Sequence, residues 1–158
     1  MNLQEQISRM KSMMEVKEST LKSYNVLPPY LYHLTSLEKF NNIKKEGGLN
    51  PKHSKQSKGK KGIYLTDDIS VAKNYSGFYD FGTELVLLKI STDGMVLSEL
   101  SPDDYELQDF LDDDGWGIKD KRIKNYEYWY EVPWELSLEW VNQVQYHHLI
   151  PIENIEII

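Results

Sequence analysis

The residues able to do chemistry fall into a few groups, and their spacing limits what each group can do. His147 and His148 are adjacent, so on a strand they point to opposite faces and cannot chelate one ion together. His53 stands apart, and no HExxH pattern is present, so zinc is not expected and no metal is assigned. Cysteine is absent, which removes thiolate zinc sites, disulfides and cysteine nucleophiles. The run Asp112-Asp113-Asp114 lacks the surrounding pattern of a calcium loop. Neither a P-loop nor a GxSxG nucleophile turn occurs. Toward the C-terminus, Glu139, Gln143 and Gln145 are separated by four residues and then two, which on one strand places all three on one face. A carboxylate there could supply charge, whereas a carboxamide could supply only hydrogen bonds.

Charge is unevenly spread. The net charge of −7 opposes binding to a phosphate backbone over the molecule as a whole. From Lys44 to Lys61 there are seven lysines against one Glu46, while Glu99 to Asp114 holds eight acids and no Lys or Arg. The first stretch could meet a phosphate and the second a basic partner, or both could be solvated loops. With 158 residues, 40% hydrophobic and 27% charged, the chain suits one globular domain. No apolar run approaches the roughly 20 residues of a membrane span. The first residues also lack the apolar core of a signal peptide. A soluble cytoplasmic protein, with no membrane partner, is the expectation.

These groups need elements to hold them. Leu3, Ile7, Met10, Met14 and Leu21 mark one stripe of an N-terminal helix within residues 1–26. A domain at residues 30–158 follows. Its first strand is Leu31 to Leu34. Thr35 or Ser36 then caps a helix over Leu37 to Glu46, stopped by Gly47-Gly48. Residues 50–62 read as a lysine-rich loop. Ile63 to Thr66 is a strand, with Asp67 or Asp68 capping a helix from Ile69 to Tyr75. Glu84 to Ile90 is a continuous apolar run and reads as a central strand. The acidic segment from Ser101 to Asp114 is read as holding a short helix. Tyr126 to Val132, Leu138 to His148 and Ile155 to Ile158 read as strands. The fold class is α+β with a mostly antiparallel sheet.

Three pieces in order, LYHLTS (Leu31 to Ser36) leading to EGGLNP, then GKKGIYLTDDISVAKNY (Gly59 to Tyr75), then ELVLLKI (Glu84 to Ile90), resemble the NAD-binding half of the ADP-ribosyltransferase fold. Poly(ADP-ribose) polymerases and their mono-ADP-ribosylating relatives share that fold. The closing VQYHHLIPIENIEII resembles the family's last strands, and the middle of the chain does not align. The resemblance implies a split β-sheet core with helices packed around it and NAD as co-substrate. The acceptor is expected to be a protein rather than a nucleic acid, and the oligomeric state a monomer or weak dimer. By analogy with small members, it also implies a role in bacterial conflict as a toxin or phage-encoded anti-defence factor.

Residue by residue, the resemblance implies that His33 hydrogen-bonds the adenosine-side ribose and that Thr35 supports this clamp. Tyr64 and Tyr75 would bracket the nicotinamide. Leu34 stands where the family often has a glycine whose backbone holds the carboxamide, so its backbone would serve instead. Ala72 stands where a serine often bonds the same amide. The third catalytic position, usually Glu in transferases, aligns with Gln143, and Gln145, Glu139 and Glu131 are the alternatives. Catalytic roles thus fall to His33, Tyr64 and Gln143, and NAD binding to His33, Leu34, Thr35, Tyr64 and Tyr75. Two other functions fit the same resemblance. One is an inactive NAD or ADP-ribose binding module, favoured by glutamine in place of glutamate. The other is an RNA 2′-phosphotransferase, disfavoured because only Arg9 and Arg122 are available for phosphates.

Overall fold

The computed structural model describes Asn2, residues 27–54 and residues 59–158. The apolar stripe from Leu3 to Leu21, and the helix read into it, lie outside the described residues. The fold is α+β. Eight strands are described: β1 (Tyr30–Ser36), β2 (Gly48–Leu49), β3 (Ile63–Thr66), β4 (Leu85–Ser91), β5 (Leu100–Pro102), β6 (Gln143–Tyr146), β7 (Ile150–Pro151) and β8 (Ile155–Ile157). The helices are α1 (Leu37–Glu46), α2 (Ile69–Asn74), α3 (Leu107–Asp112) and α4 (Trp134–Val141), with short 3₁₀ turns between them. Six strands form one antiparallel sheet in the order β5-β6-β3-β1-β4-β8, while β2 and β7 pair separately.

Local signals set the first half. Ser36 accepts from the Lys39 amide and opens α1, and Gly47, at φ 82°, closes it. That left-handed conformation costs glycine little and any side chain more. Asp68 caps α2 by accepting from the Ser70 amide. The apolar strand β4 pairs along its length with β1, from Tyr30 opposite Ser91 to Ser36 opposite Leu85. The pairing of β1 with β3 is far thinner: one bridge, Tyr32 opposite Thr66. The six-stranded sheet therefore parts into two laddered halves at this seam.

Register sorts the residues of the β5-β6-β3 half. Leu100, Val144, Tyr146, Ile63 and Leu65 share one face and enter the main core with Leu31, Leu88, Ile90 and the α1 residues Phe40 and Ile43. Ser101, Gln143, Gln145, Tyr64 and Thr66 share the other face. Gln143 and Gln145 are nevertheless almost wholly buried, at 1% and 2% exposure. Buried carboxamides require hydrogen-bond partners, so this polar face must be built over.

The aromatic second half departs from the strand reading. Tyr126 to Val132 is not a strand but a loop carrying the 3₁₀ turn Trp129–Glu131. Of Leu138 to His148, the first residues belong to α4, and only Gln143–Tyr146 is strand. The reason is the two-sided burial of α4. Leu138 enters the main core, whereas Trp140 and Val141 join Leu107, Phe110, Ile123 and Val132 in a second cluster. A helix apolar on most sides shows no single 3.6-residue stripe, and its Trp and Val content mimics a strand. Asn142, at φ 59°, ends α4 and turns the chain directly into β6.

Candidate functional site

A cleft of about 1300 Å³ runs along β1, β3, α1 and the turn after α2. His33, Leu34 and Thr35 line it from β1, and Tyr64 and Thr66 from β3. Ala72 and Tyr75 line it from α2 and its end, with Phe78 and Tyr79 beyond. Three sequence-distant segments thus meet at the seam.

His33 holds the seam. Its Nδ1 lies 2.8 Å from the Tyr64 carbonyl. A carbonyl only accepts, so Nδ1 carries the proton and, in the neutral ring, Nε2 is the acceptor. Burial lowers the pKa of His33, outweighing the bond to Tyr64, which acts the other way; nearby Lys39 lowers it further. The imidazole is therefore neutral near pH 7. Thr35 is buried and does not cap α1, because Ser36 fills that role.

The two tyrosines reach a polar network that the β5-β6 pairing creates. The Tyr64 hydroxyl donates to Asp104 Oδ1. The Tyr75 hydroxyl donates to Gln143 Oε1, and Gln143 Nε2 donates to Glu106 Oε2 at 3.0 Å. The amide orientation is fixed chemically, since a carboxylate cannot donate and the amide nitrogen must face it. Burial raises the pKa of Tyr75, and the charges of Asp103 and Glu106 raise it further, so the phenol stays protonated. Burial likewise raises Glu106 above its usual value, only partly offset by the bond from Gln143. Asp103 is pushed up to about 6 by burial, although its Oδ2 accepts from the amides of Tyr105, Glu106 and Leu107 at the start of α3.

The carboxylate alternatives separate. Glu139 lies on α4, not on the strand of Gln143 and Gln145, and its Oε1 is 2.9 Å from Arg122 Nη2, whose guanidinium lies over Trp140. Glu131 lies in a 3₁₀ turn, where it accepts from the amides of Glu127 and Tyr128. Neither joins the cleft network. Gln145 shares the face of Gln143, but its Nε2 is used on the Pro102 carbonyl at 3.0 Å. Sequence reading missed Asp104 and Glu106. The acidic run was visible, but its proximity to Tyr64 and Gln143 depends on β5 pairing with β6 across some 40 residues.

His53, His147 and Lys60 have local partners. His53 pairs with Glu46 at 2.8 Å. His147 lies 2.6 Å from Ser101 Oγ and 2.8 Å from the Lys61 carbonyl. Lys60 of the basic stretch meets Glu99 of the acidic one at 3.2 Å. Among the described residues, no group of three or more His, Cys, Asp or Glu is arranged to hold a metal ion, and no helix is long and apolar enough to cross a membrane. Comparison with protein-family models, with curated proteins and with solved structures gives no match for this chain.

Proposed function

We propose that this chain binds NAD⁺ on an ADP-ribosyltransferase-like split sheet and adds one ADP-ribose to a macromolecular acceptor, most simply a protein. One observation carries the reading: His33, Thr35, Tyr64 and Tyr75, from three separate segments, line one open cleft where β1 and β3 part. At about 1300 Å³ the cleft exceeds the roughly 300–1,000 Å³ of a drug-sized pocket, a size suited to an extended dinucleotide.

The residues fit that ligand chemically. Neutral His33 offers Nε2 as an acceptor for a ribose hydroxyl. The rings of Tyr64 and Tyr75 present aromatic faces to a cationic pyridine, each worth about 0.5–2 kcal/mol. Lys39 lines the same cleft and offers a cation to the phosphates. NAD⁺ supplies the reactive bond: the nicotinamide–ribose bond breaks with its electron pair leaving on neutral nicotinamide, while the acceptor's lone pair takes the ribose carbon and its proton passes to solvent. This chain's task is to hold the ribose and ring apart in position and to stabilise positive charge on the sugar. A role in bacterial or phage conflict and a cytoplasmic location belong to the same proposal by fold analogy alone.

A second reading, an NAD-binding module without turnover, is favoured by Gln143, whose amide is buried and engaged at both ends. An RNA 2′-phosphotransferase is disfavoured: Arg122 is held by Asp120 and Glu139. The test is incubation with labelled NAD⁺ and cell lysate, following released nicotinamide and labelled macromolecule. Transfer that is lost in His33→Ala and Tyr64→Ala supports the transferase. A rise in melting temperature with NAD⁺ but no turnover supports the module, and neither effect refutes both. Consumption of a 2′-phosphorylated RNA end would identify the phosphotransferase.

A further inference from the structure

The transferase reading leaves a chemical gap. A positive charge developing on a sugar calls for a nearby anion, yet position 143 on β6 carries a neutral carboxamide. The structure fills the space behind that amide with a carboxylate from elsewhere in the chain. We infer that Glu106 supplies the missing negative charge by relay, polarising Gln143 and through it the Tyr75 hydroxyl, whose oxygen becomes the negative pole of the cleft. The inference rests on the transferase reading above.

The relay is a continuous chain of directed hydrogen bonds. Gln143 Nε2 donates to Glu106 Oε2 at 3.0 Å, a charge-assisted bond of the stronger kind. Donation to an anion shifts electron density toward Gln143 Oε1, which makes it a better acceptor. That oxygen receives the Tyr75 proton, so density rises in turn on the phenol oxygen, and Tyr75 lines the cleft. Gln143 is 1% exposed, so water screens the amide step little, while Glu106 itself is half-buried. An apolar residue at 143 would have closed the same space without linking Glu106 to the cleft wall. A buried amide that engages a carboxylate at one end and a cleft phenol at the other is what transmission of charge requires. Glu106 is thus a positioning residue that acts through Tyr75.

The surroundings keep Glu106 responsive. Asp109 in α3 repels its charge. Tyr75 faces it from the turn after α2, the charge of Asp103 acts on the same phenol, as do Tyr64 and Tyr105, and β6 contributes neutral Gln143. Protonating Glu106 should therefore switch the relay off, at a pH raised by burial from the ordinary glutamate value.

A double-mutant cycle tests the relay. The variants are Glu106→Gln, Tyr75→Phe and their combination, with NAD⁺ affinity measured by calorimetry, nicotinamide release measured from pH 4.5 to 8, and melting temperature as a check on folding. Glu106→Gln retains an acceptor for Gln143 and removes only charge. The expected result is a kcat lowered about 10–100-fold in each single variant, with NAD⁺ affinity within about threefold of wild type. The double variant should be no worse than the poorer single one, and the fall of wild-type kcat at low pH should vanish in Glu106→Gln. Independent, multiplying losses overturn the relay, as does a Glu106→Gln enzyme with the wild-type pH profile. If either single variant unfolds, the charge exchange Glu106→Gln with Gln143→Glu decides: turnover restored toward wild type supports the inference, and turnover left low overturns it. A wild-type protein that neither binds nor cleaves NAD⁺ refutes the transferase reading and this inference with it; turnover that ignores residue 106 refutes only the inference.

Discussion

The imidazole of His33 on β1 donates from Nδ1 to the backbone carbonyl of Tyr64 on β3, 2.8 Å away, beside the single bridge that joins these strands. A side chain thus replaces the missing ladder at the place where the candidate ligand cleft opens.

His33→Ala leaves the Tyr64 carbonyl without this donor and should cost about 1–3 kcal/mol, measured by urea unfolding at pH 7.5. The pH sign follows from burial, which lowers the folded-state pKa below the ordinary 6.5. The unfolded chain then binds the proton more readily, so this contribution to stability is complete above about pH 6.5 and declines as pH falls below it. In His33→Ala that part of the acid sensitivity should disappear.

Arg122 should matter to the fold and not to the cleft. It bonds Asp120 at 2.6 Å and Glu139 at 2.9 Å, and the Trp140 indole also donates to Asp120. Burial alone would raise the Asp120 pKa, but the bonds from Arg122 and Trp140 outweigh it and hold the carboxyl at about 2. Stability from this carboxylate is present above the usual 3.8 and is lost as pH falls toward 2. Arg122→Ala leaves two largely buried carboxylates without their shared cation and should cost about 2–3 kcal/mol. Ligand affinity of the folded variant should stay within twofold, read by calorimetry.

Asp67 predicts the opposite sign. It sits between β3 and α2 with a buried Oδ1 that lacks a hydrogen-bond partner, and burial pushes its pKa up to about 6. Ionisation is therefore disfavoured in the fold, and stability falls as pH rises from 3.8 through about 6. Asp67→Asn should raise the melting temperature at pH 7 and leave it unchanged near pH 3.5. A neutral-pH melting temperature at or below that of wild type would show that the carboxylate is better solvated than its burial implies.

How far the chain could be read in advance follows the range of the forces involved. Strand β3 and helix α1 are bounded by local chemistry: Ser36 caps α1, Gly47 ends it, and Asp68 starts the next helix. Such signals act within a few residues. Helix α4 was hidden because its residues serve two cores at once, so the pattern reflects tertiary surroundings and not one exposed face. The cleft residues His33, Tyr64 and Tyr75 stood out because their segments, in order, resemble those of the ADP-ribosyltransferase fold. Glu106 did not, because only the pairing of Ser101 with Gln145 brings its turn beside β6. Glu139 drew attention by spacing that holds only if the segment is extended; as helix, it turns to Arg122.

The sparse joining of β1 to β3 has a mechanical consequence. Each half-sheet is internally laddered, β1 to β4 from Tyr30 to Ser36 and β3 to β6 from Ile63 to Thr66, so each half is a stiff leaf and deformation concentrates at the joint. A small molecule seated across it would fasten the two leaves together. Occupancy should then register as slowed amide hydrogen exchange along the facing edges of β1 and β3, with little change at the outer strands.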